Sequence, residues 1–492
     1  PKSRRCCGKS LLNIPARRLT KRRDTLKSSD TTRRSLPHKA AVHVVGAGGA
    51  GMNAIAAVLL SMGHPVSGSD LRESAGVNRL RSLGAQIHIG HSATNIGDAE
   101  IICRSTAVPD GNTEVLAAKE LGRSVWSRAD VLAAICELKQ TVAVSGTHGK
   151  TTTSSMLALG LTASGLDPAF IVGGDLNEIG SGAVWSNKGK LFVVEADESD
   201  GTFLRLNAEA VVVTNVEADH LDFFGSYKAL IESFETFVAE AKGPRVVCSD
   251  DPGAANIAST VGECVTYGRS NEADYQIIDL ETHRYSSTFG IINGGRLIGE
   301  CDLPVPGVHN ALNATAAFVT ALELGASAGL VLPALGRFAG VARRFEFRGE
   351  QDGVVYVDDY AHLPTEVSSV LAAAKAGNWQ RVVAVFQPHR YSRTAELWRD
   401  FADSFVDADH IVVTGIYGAG ELPRPGVTGD LLVRAILDAH PDASVTYLPG
   451  RDQVAGYLDS TLQSGDLCLT MGAGDLTSAA DEVQTRRKVS EL

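Results

Sequence analysis

Gly146-Thr147-His148-Gly149-Lys150-Thr151-Thr152-Thr153 is the stretch of this chain best equipped for chemistry. It follows the apolar run Val142-Ala143-Val144 and leads into Ser154-Ser155-Met156-Leu157-Ala158-Leu159, a helix-like segment. A strand that breaks at glycines and restarts as a helix leaves backbone N–H groups at the helix N-terminus, where the dipole favours a polyphosphate. Lys150 is spaced to reach β- and γ-phosphates, and Thr151 to offer its hydroxyl to Mg2+. The pattern predicts that the chain binds and splits ATP. The loop is shorter than the common phosphate-loop pattern, with Val144 in the place of its first glycine.

Acids and a histidine recur at the ends of the next apolar runs. Glu195-Ala196-Asp197-Glu198-Ser199-Asp200 follows Leu191–Val194, and Asn215-Val216-Glu217-Ala218-Asp219-His220 follows Ala210–Val213. Ligands of open α/β sheets sit beyond the carboxyl ends of the strands. Hard oxygen donors placed there suit a Mg2+ ion bridging ATP phosphates. A solvated acidic loop is the alternative reading of either segment by itself.

A second glycine turn lies upstream. Ala41–Val45, Gly46-Ala47-Gly48-Gly49-Ala50-Gly51 and a helical stretch from Met52 to Met62 form a strand, a G-x-G-x-x-G turn and a helix, followed by the strand Val66–Asp70. Such a unit seats a diphosphate, with Asp70 where a ribose or base contact is expected. The turn leaves NAD, FAD and a sugar nucleotide open. Asp70 also reads as an ordinary strand-end acid. Ile101–Val108 is a later strand running into a loop.

The elements that must position these groups fall into three blocks after a basic tail. Residues 1–40 carry 13 Lys and Arg against Asp24 and Asp30, lack apolar periodicity and read as disordered. The first block, 41–139, is Rossmann-like. The second, 140–339, is a mostly parallel sheet of the phosphate-loop ATPase kind, with strands at Leu191–Val194, Ala210–Val213 and Arg245–Cys248. Within it, Tyr275–Ile278 and Thr288–Ile292, with Asn293-Gly294-Gly295, read as hairpins. The third, 340–492, is again Rossmann-like, with strands at Val354–Val357, Val382–Phe386, Ile411–Thr414 and Leu467–Thr470. The fold class is α/β in three domains.

Composition sets limits on function. The net charge of −11 conceals the basic tail, beyond which 33 Lys and Arg face 55 acids. An acidic body excludes nucleic acid as the natural partner. No apolar run is long enough to span a bilayer. Eight cysteines without a C-x-x-C pair fit a reducing, cytoplasmic setting and speak against disulfides or zinc.

Taken together, G-T-H-G-K-T-T-T, E-A-D-E-S-D, N-V-E-A-D-H, P-G-V-H-N-A-L-N-A (306–314), G-V-A-R-R-F-E (340–346), D-D-Y-A-H-L-P-T-E (358–366) and F-Q-P-H-R-Y-S-R-T (386–394) resemble the Mur ligases of peptidoglycan synthesis. The resemblance covers about residues 41–480. It implies that ATP and Mg2+ drive the joining of L-alanine to UDP-N-acetylmuramate, with no membrane span and a monomer or weak homodimer. A recycling ligase that adds an L-Ala-D-Glu-diaminopimelate tripeptide is the alternative within the family.

By the same resemblance, Gly46, Gly48, Gly51, Asp70, Ser105 and Thr106 hold the UDP part. Gly146, Thr147, His148, Gly149, Lys150, Thr151 and Thr152 hold ATP, with Asn310 and Asn313 at the adenine and Arg344 and Asp359 from the third domain. Thr151, Glu195 and His220 ligate the metal. Tyr360, His362 and Arg393 shape the amino-acid pocket, and Lys150, His220 and His362 carry the catalysis, His362 as candidate base. Asn310 and Asn313 equally fit helix capping and packing, and the Arg343-Arg344 pair equally fits a plain surface. Two departures stand out, Leu363 where the family usually has a second His, and Ala47 where it has a bulkier residue.

Overall fold

The computed structural model describes residues 34–177 and 179–490. Three sheets follow one another along the chain. The first is entirely parallel, in the order β3-β2-β1-β4-β5. It is built from β1 (Val42–Val45), β2 (Val66–Asp70), β3 (Gln86–Ile89), β4 (Ile101–Arg104) and β5 (Ser124–Ser127). Helix α1 (Ala50–Ser61) starts directly from the glycine turn after β1.

The second sheet has ten strands, β15-β14-β13-β12-β11-β10-β6-β9-β7-β8. Its ranges are β6 (Gln140–Ser145), β7 (Ala169–Leu176), β8 (Ser181–Val184), β9 (Leu191–Glu195), β10 (Ala210–Val213), β11 (Arg245–Cys248), β12 (Val265–Gly268), β13 (Tyr275–Thr282), β14 (Ser287–Asn293) and β15 (Arg296–Leu303). The middle strands are parallel, whereas β7–β8, β13–β14 and β14–β15 pair antiparallel. The hairpins expected around residues 275–295 thus extend the same sheet. Helix α2 (Lys150–Ala163) leaves the central strand β6, and helix α3 (Val308–Glu323) packs along it.

The third sheet runs β16-β17-β21-β18-β19-β20, with only the edge pair β16–β17 antiparallel. Its strands are β16 (Glu346–Gln351), β17 (Val354–Asp359), β18 (Arg381–Phe386), β19 (His410–Thr414), β20 (Val445–Leu448) and β21 (Asp466–Met471). Helices α4 (Pro364–Lys375) and α5 (Tyr391–Leu397) follow β17 and β18. Strands covered on both faces need continuous apolar runs, which is why β10 (AVVV) and β18 (RVVAVF) are so uniform. One apolar core runs through the first two units, a smaller one around Val45 and Ile102 lies in the first unit, and the third sheet carries two separate cores.

Ion pairs tie the units together: Arg79 to Asp175 through both carboxylate oxygens, and Arg128 to Asp200 at 2.9 Å. Residues 1–33 of the expected disordered tail lie outside the described residues. Residues 34–40 pack against the first unit: Leu36 and Ala40 are buried, and the Arg34 guanidinium lies 5.5 Å from the Trp126 ring centroid. No helix of the described residues is long and apolar enough to cross a membrane. The six described cysteines are free thiols.

Candidate active site

The phosphate loop forms as the sequence predicts, for a steric reason. Gly146 has φ +134°, and a Cβ there would fall 2.1 Å from Thr214 Oγ1. Gly149, the N-cap of α2, has φ +80°, and a Cβ would meet Asn313 Oδ1 at 2.4 Å. Both positions demand glycine. Only part of the loop points its N–H groups outward. Thr147 N–H donates to Asn215 O at 3.0 Å and His148 N–H to Asn215 Oδ1 at 2.7 Å, so these two are used within the protein. The first turn of α2, with Lys150, Thr151 and Thr152, keeps the unpaired N–H groups that every helix start leaves.

Lys150 Nζ donates to Gly146 O (2.7 Å), to Thr147 O (3.2 Å) and to both Glu198 oxygens (3.0 and 3.1 Å). Burial alone would lower its pKa, but the carboxylates of Glu198, Asp197 and Glu195 raise it above the ordinary lysine value. Glu198 is 2% exposed. Burial pushes its carboxyl up, Lys150 pulls it down, and the Asp197 charge adds to the rise.

The expected metal ligands Thr151, Glu195 and His220 all lie around the Lys150 end of the phosphate loop: Glu195 acts on Lys150, and His220 lies 3.9 Å from its partner Glu198. Glu195 and Thr151 converge on Gly173: its N–H donates to Glu195 Oε2 at 2.7 Å, and a Cβ there would lie 2.5 Å from that oxygen and 2.8 Å from Thr151 Oγ1. His220 joins Asp197 and Glu198, with ligand atoms all within 4.8 Å of one another. Glu195 is the last residue of β9, and Asp197 and Glu198 lie in the loop beyond it. Hard carboxylate and hydroxyl oxygens fit a magnesium ion better than a soft metal.

The loop 214–220 after β10 reaches the phosphate loop, the acidic group and Arg393. Asn215 holds the phosphate loop, Glu217 meets His148, Asp219 meets Arg393 at 3.7 Å, and His220, with φ +54°, lies 3.9 Å from Glu198. Left-handed backbone at non-glycine residues is costly; His220, Arg343, Phe345 and Arg390 are four of the twelve such positions among the described residues.

A cavity of about 370 Å3 opens between the second and third units, lined by His148, Gly149, Asn310, Asn313, Arg344 and Asp359 among others. Asn310 donates to Pro306 O at 2.7 Å, and Asn313 accepts from Thr153 Oγ1 at 3.2 Å, so both also pack the start of α3. Asp359 accepts the N–H groups of Phe345 and Ala361, each at 2.7 Å. Burial, opposed by the Arg344 charge, pushes its carboxyl up to about 6. Burial and then Arg344 take His309 down to about 4, leaving a neutral ring in the cavity wall.

The residues expected to shape the amino-acid pocket come together beside Glu366 of this cavity's wall. Tyr360, His362, His389 and Tyr417 form a ladder of rings with centroids 5.3, 5.7 and 6.0 Å apart. Arg393 donates to His389 Nδ1 at 3.0 Å. Burial, with the His362 and Arg393 charges, lowers His389 to about 3, so it accepts that bond as a neutral ring. Burial likewise lowers His362, whose Nδ1 lies 3.0 Å from Tyr360 O. Leu363 is buried at the N-cap of α4, where it packs into the protein.

In the first unit, Gly46, Gly48, Asp70 and Ser105 converge. Gly48 N–H donates to Asp70 Oδ2 at 2.8 Å, Arg72 N–H to Oδ1, and a Cβ on Gly46 would meet Ser105 Cβ at 3.1 Å. Asp70 therefore closes the glycine turn. Gly51 sits in the first turn of α1 beside Arg128, and Thr106 is exposed.

Sequence reasoning did not single out Glu198, Glu217, Thr365, Glu366 or His389. Each lies inside a motif already noted, and the signal for Glu198 and Glu217 was an acid just past a buried strand. His148 bridges Glu366 Oε1 (3.1 Å) and Glu217 Oε2 (3.3 Å), linking the phosphate loop to α4. Against burial, those two carboxylates raise it to about 9.

Fold and site together define a three-domain α/β nucleotide-binding protein whose phosphate loop faces a cavity closed by its third domain. The chain belongs to the Mur ligase family. Family models match residues 41–140 (Mur ligase family, catalytic domain), 144–321 (Mur ligase middle domain) and 343–474 (Mur ligase, glutamate ligase domain). It is 42% identical to the UDP-N-acetylmuramate–L-alanine ligase of Geotalea daltonii, over 90% of this chain and 97% of that one. Against the enzyme of the same name from Syntrophotalea carbinolica the identity is 45%, over 88% and 95%. The crystal structure of the UDP-N-acetylmuramate–alanine ligase of Thermotoga maritima superposes with a TM-score of 0.79 at 29% identity, covering 92% of this chain and 99% of that one.

Proposed function

We propose that this chain joins L-alanine to the lactyl carboxylate of UDP-N-acetylmuramate while converting ATP to ADP and phosphate. The observation that carries the reading is the Lys150 loop facing Arg344 and Asp359 across one cavity, a phosphate site shared between two domains. The names of the relatives, matched over nearly the whole chain, support the choice of substrates. The functional units are 41–139 for the UDP-sugar, 140–339 for ATP and 340–492 for the amino acid. Such substrates fit a cytoplasmic enzyme.

A carboxylate will not condense with an amine at neutral pH, because it is a poor electrophile. Transfer of the γ-phosphoryl group to the lactyl carboxylate gives an acyl phosphate and ADP. The alanine nitrogen then adds to the acyl carbon, and the tetrahedral adduct expels phosphate to leave an amide. The first step brings two anions together, so its barrier is electrostatic. Lys150 and Arg344 offset that charge. Thr151, Glu195 and His220 with its neighbouring acids would hold a Mg2+ ion, which would supply further neutralisation.

Gly46, Gly48, Gly51, Ser105 and Thr106 receive the UDP part, with Asp70 fixing their turn. Arg393 takes the alanine carboxylate by a planar, two-pronged contact. His362, neutral in its buried setting, accepts the proton that the alanine ammonium must lose before attack. Closure of the third domain over the second shields the acyl phosphate from water.

The test is ADP release by purified protein with ATP, Mg2+ and UDP-N-acetylmuramate, adding L-alanine, glycine, L-serine or the L-Ala-D-Glu-diaminopimelate tripeptide in turn. Turnover that requires the sugar nucleotide and L-alanine, and disappears in Lys150→Ala, is the expected result. Turnover with the tripeptide alone moves the assignment to a peptide-recycling ligase. No turnover with any acceptor overturns the proposal.

A further inference from the structure

Every hydrogen on the Lys150 ammonium is already engaged. Lysine has three donors, and here they meet Gly146 O, Thr147 O and the Glu198 carboxylate. A phosphate that binds this lysine must therefore displace one of the three. The two carbonyls belong to a loop that cannot swing: Gly146 is wedged against Thr214 and Asn215, and Thr147 N–H is pinned to Asn215 O. Glu198 sits on a rotatable side chain and is the partner able to leave.

We infer that Glu198 is a built-in competitor that holds Lys150 until the nucleotide's phosphates displace it. The inference rests on the ATP reading of the loop and adds a residue that positions the lysine. Its chemistry is anion exchange, a carboxylate giving up an ammonium to a phosphate, and no covalent bond changes. Once displaced, Glu198 stays in a crowded acidic corner: it is 2% exposed, Asp197 is its neighbour, and His220 Nε2 lies 3.9 Å away. A buried carboxylate deprived of its counter-ion is costly. The displaced side chain then has reason to turn to the divalent cation that accompanies the nucleotide. Nucleotide binding should accordingly depend strongly on that cation, with Glu198 the cause of part of the dependence.

The experiment measures ATP affinity by calorimetry on the full chain, in EDTA and in Mg2+, for the parent protein, Glu198→Gln, Asp197→Asn, Lys150→Ala and the Lys150→Ala/Glu198→Gln double variant. Freeing a charged donor from a competing bond should tighten EDTA binding about tenfold in Glu198→Gln. The ratio of Mg2+ to EDTA affinity should shrink to match. Asp197→Asn removes a nearby charge without touching Lys150, and should tighten binding far less. In the Lys150→Ala background, Glu198→Gln should change little.

Unchanged or weaker EDTA binding in a folded Glu198→Gln overturns the inference, as does equal tightening in the Lys150→Ala background, which would mean plain charge repulsion. Should Glu198→Gln fail to fold, Glu198→Asp, which retracts the carboxylate by one methylene, carries the same comparison in the same direction. Parent-like ATP affinity in Lys150→Ala would instead overturn the ATP reading of the loop, and the inference with it.

Discussion

Raising the pH through 9 should loosen the junction between the phosphate loop and the third domain, because that junction is built on a charged histidine. His148 lies 3.1 Å from Glu366 and 3.3 Å from Glu217, with Thr365 Oγ1 at 3.0 Å. Burial opposes the charged ring, yet the two carboxylates raise it from 6.5 to about 9. A group whose pKa is higher in the folded state lends stability that is complete below the unfolded value and is lost as pH rises through the folded one. The window is therefore pH 6.5 to about 9. The full shift corresponds to about 3 kcal/mol. The Glu217 side chain is 37% exposed, and solvent screening of its share leaves about 2 kcal/mol. The assay is urea unfolding at intervals from pH 6 to 9.5, for the parent chain and His148→Gln. The pH-independent cost of the substitution cancels, because only the slopes are compared. The parent should lose about 2 kcal/mol more than the variant across the window. Parallel curves would refute the reasoning.

Three further outcomes follow from the same geometry. Gly146→Ala, which adds a methyl in the left-handed region 2.1 Å from Thr214 Oγ1, should cost at least about 3 kcal/mol in thermal unfolding and abolish ATP binding. Arg393→Lys keeps the charge but loses the planar fork, and should raise the KM for L-alanine about tenfold or more while leaving the KM for ATP within about twofold. Arg284 stacks on Trp379 at 4.2 Å and donates to Gly377 O and Asn378 O; Arg284→Ala should lower unfolding stability by about 1–3 kcal/mol and speed proteolysis between the second and third units.

The sequence disclosed those elements whose physics is local. Ala210–Val213 and Arg245–Cys248 match their observed bounds, because strands covered on both faces must be apolar throughout. The edge strands β3, β16 and β20 went unread: apart from Ile87, QIHI, EFRGEQ and VTYL are exposed or half-buried and carry no uninterrupted apolar run. The same division holds in the site. The glycines of the Lys150 loop and the acids past β9 and β10 were legible because their spacing to a strand end is fixed. The His148–Glu366 contact joins residues 218 apart in the chain, and no local pattern encodes such a distance.

Helix α4 explains how an amino-acid pocket on one domain can be coupled to a phosphate loop on another. Its N-terminal turn is held by the second domain through Glu366 and Thr365, which meet His148 and Glu217. Just past its C-terminus, the carbonyls of Gly377 and Asn378 are held by Arg284, from the turn between β13 and β14. A helix is stiff over this length, so holding both ends fixes its axis as well as its position. Glu366 also accepts the His362 and Leu363 N–H groups, at 2.8 and 3.0 Å. One carboxylate thus joins the phosphate loop to the candidate base. A displacement of His148 by a bound nucleotide would pass through the single side chain of Glu366 to His362. The arrangement places one carboxylate between the phosphate loop and the proposed amino-acid pocket, which suits the proposed chemistry, since an amine is useful only after the acyl phosphate has formed.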